Sequence, residues 1–118
     1  MRYLMFVATD PDAEPYDPAA DDAEDWVAKH EASGQWVMGD RLRPVEDATT
    51  VRRRGGEVLV TDGPFAETRE WIAGFDILEC ADLDEAIAIA AAHPMARFGR
   101  LELRPFWSDE DEQAGPKG

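Results

Sequence analysis

The sequence predicts an α+β domain of the ferredoxin-like split βαβ type, with a β-hairpin inserted and two helices on one face of an antiparallel sheet. Three observations lead there. The apolar residues switch between strand and helix periodicity in the order β-α-β, hairpin, β-α-β. Turn signals separate them at Gly34, Gly55-Gly56 and Asp62-Gly63-Pro64. A chain of 118 residues with a 44% apolar share has room for one core and one domain.

Residues 3–8 form an unbroken apolar run that ends at Thr9-Asp10-Pro11, the pattern of a strand buried on both faces. An acidic loop follows. Asp17 can cap a helix that has Pro18 at its first position, where a missing N–H costs nothing. That helix is expected to run to about Ser33, with Gly34 in the left-handed conformation just past its end. Ala19, Ala23, Trp26, Val27 and His30 make its apolar stripe. Residues 35–43 read as the second strand, with Trp36, Met38 and Leu42 among its apolar positions. Residues 49–54 and 57–61 flank Gly55-Gly56 as a hairpin. Residues 70–80 form a long strand bent at Gly74.

Asp82-Leu83-Asp84-Glu85 has the spacing of a capping box. The helix it opens carries Leu83, Ala86, Ile87 and Ala90 on one face and stops at His93, before Pro94. In the last strand, residues 100–106, Leu101 and Leu103 alternate with Arg100, Glu102 and Arg104. The domain thus spans residues 1–107, and residues 108–118 are an acidic, flexible tail.

Two helices cover only one face of such a sheet. The first strand is apolar on both sides, and Trp36, Trp71 and Phe75 add aromatic area. Each large apolar side chain left wet forfeits about 1.5–3 kcal/mol. Pairing the open faces of two copies removes that loss, so a homodimer with a barrel-like interface is expected.

The formal net charge is −14, unevenly spread. Residues 10–25 hold eight of the 26 acids and residues 109–112 hold four more, leaving fourteen acids and ten bases between Trp26 and Ser108. This balance excludes nucleic acid as a ligand, because phosphate contacts need a basic face. Arg52-Arg53-Arg54 is the only basic run. The first apolar run is too short for a signal-peptide core or a membrane span, so a cytoplasmic protein without membrane contact is expected. Cys80 is the single cysteine and reads as a small buried hydrophobe.

The segment Val60-Thr61-Asp62-Gly63-Pro64-Phe65-Ala66-Glu67-Thr68-Arg69-Glu70 resembles the signature of the YCII-related family in its DGPF-motif branch. The likeness extends through Gly74-Phe75, Asp82-Leu83-Asp84-Glu85-Ala86, Pro94 and Glu102-Leu103-Arg104-Pro105. It implies a dimeric α/β barrel. In some relatives it also implies acid–base chemistry by a His–Asp pair in a cleft of the dimer, and one branch performs a dehydrochlorination. The histidine of those relatives corresponds to Ala23 here, eleven residues before Gly34.

Two function classes follow. The first is an enzyme or binder that holds a small polar molecule in a cleft at the dimer interface. The second is a non-catalytic regulatory or interaction protein, since DGPF-type relatives are associated with alternative sigma-factor systems. For the first, Asp62 is the candidate general base, its carboxylate lodged beside Pro64 and Phe65; the competing reading is an Asx-turn onto the backbone. His30 is a second catalytic candidate, against a structural role bonding the last carbonyls of its helix. Glu67, Arg69 and Glu70 make either a solvated loop or the rim of a cleft. Glu102 and Arg104 share one strand face, where they either pair with each other or across subunits, or offer an arginine to a carboxylate. His93 reads as a helix-terminal cap. Two histidines and one cysteine, with no tight cluster, predict no metal site, and no motif calls for a cofactor.

Overall fold

The computed structural model describes residues 1–63 and 71–114. Four strands form one antiparallel sheet: β1 (Arg2–Ala8), β2 (Trp36–Arg41), β5 (Ile72–Glu79) and β6 (Arg100–Pro105). Their order is β2-β5-β1-β6, with every neighbouring pair antiparallel. This order is consistent with the ferredoxin-like α+β fold. The hairpin strands β3 (Thr49–Arg54) and β4 (Glu57–Asp62) form a separate two-stranded sheet. Helices α1 (Ala23–Ala32) and α2 (Leu83–Ala91) pack on one face of the main sheet.

Alternation along β1 sorts its side chains. Tyr3, Met5 and Val7 are buried with Leu78 and Cys80 of the β5 side, against Trp26 of α1 and Ala86, Ile89 and Ala90 of α2. Leu4 and Phe6 point the other way, where they lie beside Ile77 and Phe75 in register. Leu101 and Leu103 of β6 face the helices, and Glu102 and Arg104 face outward.

Three elements differ from the sequence reading. The first helix is split: Asp17 caps a short 3-10 turn, Pro18–Ala20, and α1 begins only at Ala23. The break lies at Asp21, which takes the Ala23 N–H and the Tyr16 hydroxyl and holds the backbone extended. On α2 the buried residues are Ala86, Ile89 and Ala90, while Leu83 and Ile87 are exposed. Eight of the residues from Leu83 to Ala92 are apolar, so the sequence does not distinguish one stripe from its neighbour. Past Pro94 a further short helix, α3 (Met95–Phe98), turns the chain into β6.

The bend expected at Gly74 is a bulge one residue earlier. Val7 pairs with Gly74 and Ala8 with Ile72, leaving Ala73 as the extra residue. Within the acidic C-terminal stretch, Asp109–Ala114 forms α4, where the Ser108 hydroxyl accepts from Asp111 N–H and the Asp111 carboxylate from Ser108 N–H. No helix among the described residues is long and apolar enough to cross a membrane.

Candidate functional site

A cleft of about 620 Å³ lies between the helices and one end of the sheet, within a single chain. Its walls come from Val7 of β1 and Thr9 just past it, the end of β2 (Gly39 to Arg41) and the start of β5 (Ala73 to Asp76). Ala23 and Val27 of α1 and Met95 and Phe98 of α3 close the helical side. The lining is mostly apolar, and its titratable members are Tyr16, Asp21, Asp40, Arg41, Asp76 and His93. A pocket of this size and character suits a small organic molecule.

Asp76 is the one carboxylate on the helix-facing side of β5, and it is 7% exposed. The Trp36 indole N–H donates to its Oδ1 at 2.8 Å. Room for that carboxylate is made by Gly39, which faces Asp76 across the ladder: a Cβ there would collide with Oδ1 and with the Phe75 carbonyl. Burial pushes the Asp76 carboxyl above the ordinary carboxylate range, and the Trp36 hydrogen bond and the charge of His93 pull it only partly back.

His93 is 8% exposed and stacks edge-on to Trp26, with ring centroids 4.7 Å apart. Its Nδ1 accepts the Met95 N–H at 3.0 Å, at the start of α3. That bond assigns the proton of the neutral ring to Nε2. Burial lowers the His93 pKa, opposed by the charges of Asp76, Asp21 and Asp22. The ring is therefore neutral near pH 7 and a donor at Nε2.

Among the described residues no fully buried side-chain nitrogen or oxygen lacks a partner. Asp76 Oδ2 and His93 Nε2 have none among the described residues, so neither atom is fully enclosed, and both residues line the cleft. The two groups sense each other's charge but are not joined by a hydrogen bond or by an ion pair within 4.0 Å. Asp21 stands at the side of the cleft, held ionised by the Tyr16 hydroxyl and then by the Ala23 N–H.

Gly39→Ala should therefore cost about 1–3 kcal/mol, because the new methyl must push Asp76 and the β5 backbone aside. The indole N–H resonance of Trp36 should move with it. An unshifted resonance would mean that Gly39 does not position the carboxylate.

The residues singled out from sequence are scattered. Asp62 ends β4 opposite Thr49 in the hairpin, exposed, and does not line the cleft. His30 is buried on α1 and its Nδ1 bonds the Trp26 carbonyl at 2.8 Å, within the helix. Glu102 and Arg104 lie opposite Phe6 and Leu4 on the open face of the sheet, with no ion pair to each other. Glu67, Arg69 and Glu70 lie outside the described residues. Ala23, where the family resemblance sets a histidine, does line the cleft. The sequence does carry a signal for Asp76: it is a lone acid inside the apolar strand IAGFDILE. Among the described residues no group of three or more His, Cys, Asp or Glu side chains is arranged to hold a metal.

Strand order and helix placement put the chain among small α+β domains of ferredoxin-like architecture. Residues 1–108 match the YCII-related domain, and the chain belongs to that family. It is also 46% identical over 82 residues to an uncharacterized protein of Rhizobium meliloti (strain 1021), covering 66% of this chain and 64% of the relative. The chain thus spans somewhat less than two thirds of the length of that relative.

Proposed function

We propose that the protein binds a small, largely apolar molecule in the cleft and moves a proton on it, with Asp76 as base and His93 as donor. The observation that carries this reading is the pair of free atoms, Asp76 Oδ2 and His93 Nε2, on two nine-tenths-buried groups that line one cleft without bonding each other. A carboxyl with a raised pKa is a better base, and a neutral imidazole N–H is a donor that need not lose its own charge. Such a pair suits a carbonyl compound. Asp76 would take the proton from the carbon beside the carbonyl, the C–H electron pair would move into the enolate, and His93 Nε2–H would hold the oxygen that becomes negative. Return of a proton to the same carbon restores the carbonyl compound with that hydrogen exchanged, and no other reactant is needed.

The test is solvent exchange. In D2O, a panel of small ketones and aldehydes with apolar substituents should include members whose α-hydrogens exchange faster with the protein than with buffer. Asp76→Asn should lose that acceleration by about 100-fold or more, and His93→Asn should slow it as well. Binding without exchange in the parent protein would reduce the site to a receptor, and neither binding nor exchange would remove the reading.

A homodimer goes with this reading. Leu4, Phe6, Phe75, Ile77 and Met38 share the open face of the sheet by register, an apolar surface that a second copy would cover. Within the family, the run from Val60 to Glu70 supports the DGPF-motif branch.

A further inference from the structure

The β3–β4 hairpin leaves the body between Arg41 and Ile72 and pairs with no strand of the main sheet. Each of its strands has six residues, about 20 Å of arm. Val51 and Val60 face each other across the ladder, and Val58 follows Val60 on the same side. They are 65%, 64% and 57% exposed. A hairpin with a bare apolar face is marginal in water unless something covers it.

At its tip stand Arg52, Arg53 and Arg54, turned by Gly55 and Gly56 with positive φ. None of the three arginines has a carboxylate within 4.0 Å among the described residues. The complementary charge is on the body. Beside the cleft, a hollow of about 410 Å³ is lined by Asp21, Asp22, Glu24 and Asp25 at the start of α1, with Tyr16 and Arg41. Asp22, Glu24 and Asp25 are exposed and have no ion-pair partner among the described residues.

We infer that the hairpin is an arm that packs on a second copy of this chain, with its arginine tip in the acidic hollow of that copy. The inference rests on the homodimer reading and adds a contact that the open sheet face does not supply. In a two-fold pair each arm meets the other body, so one charge match is made twice. Because the hollow and the cleft share Tyr16, Asp21, Ala23 and Arg41, a docked arm would border the mouth of the neighbour's cleft.

A charge swap between chains tests it. The variant R52E/R53E/R54E and the variant E24K/D25K alter exposed side chains only, and circular dichroism checks that both remain folded. Sedimentation at low salt, about 50 mM, is where surface charge is least screened. Each variant alone should dimerise about tenfold more weakly than the parent or worse. Mixed, they should form heterodimers of nearly parental strength, because each arm then meets a hollow of opposite sign. A parent dimer whose two variants associate as tightly as it does overturns the arm while the sheet-face dimer stands. Variants weakened alone and not restored by mixing also overturn the arm, since a contact within one chain gives that result. A parent that sediments as a monomer overturns both readings.

Discussion

Trp26→Ala should lower the unfolding free energy by about 3–5 kcal/mol, the range for removing a buried aromatic side chain. Trp26 is buried on α1, and its indole N–H donates to the Ile89 carbonyl of α2 at 2.8 Å. It also contacts two imidazoles, with ring centroids 4.9 Å from His30 and 4.7 Å from His93. One side chain therefore joins both helices and supports the histidine of the cleft. Trp26→Phe separates the contributions: it keeps most of the apolar contact and leaves the Ile89 carbonyl without its donor, a loss of about 1–3 kcal/mol. Urea denaturation of the two variants should show that order. Equal and small losses would mean that the core repacks around the gap and that Trp26 is not its keystone.

Asp76→Asn should make the protein more stable at neutral pH, with a gain that depends on pH in one direction. The folded carboxyl has a raised pKa, caused first by burial. Below the unfolded value, about 3.9, both states are neutral and nothing is lost. As pH rises the unfolded chain ionises first, so the parent loses stability through the window up to its folded pKa and then levels off. The amide can still accept the Trp36 N–H, so the variant escapes the penalty without losing the bond. The melting-temperature difference between variant and parent should therefore grow from pH 4 upward. His93→Asn should show the opposite slope. Its folded pKa is lowered, so the stability it carries is complete above about 6.5 and is lost as pH falls through the folded value. Asn at that position can still accept the Met95 N–H. A flat difference for Asp76→Asn across the acid range would show that the carboxyl is solvated, and the proposed base would lose its main support.

The fold was legible because each element announced itself locally. The Asp82 carboxylate does accept the Glu85 N–H, as its spacing suggests, and Gly34 has φ +79 just past α1. The hairpin around Gly55-Gly56 and the two-faced β1 follow equally from pattern. What was not legible depends on contacts far apart in the chain. Asp76 meets Trp36 across 40 residues, and the space it occupies exists because Gly39 has no side chain. His93 looks from sequence like a cap on the helix that ends before Pro94, but its Nδ1 accepts from Met95 at the start of α3 instead, and its ring lines a cleft that the packing of α1 and α3 helps to form. The Asp62 motif is a dense local turn signal, and such a signal says nothing about which residues converge in space.

The strand order also governs how the chain is made. β1 lies between β5 and β6, so residues 2–8 find their partner strands in residues 72–79 and 100–105. At the usual pace of synthesis, about 5–20 residues per second, a strand apolar on both sides waits for several seconds before either neighbour is available. During that wait only α1 and the hairpin can organise from local contacts. The N-terminal strand is thus the segment most exposed to mispairing with other nascent chains, and the eight acids that follow it in residues 10–25 place a block of repelling charge beside it.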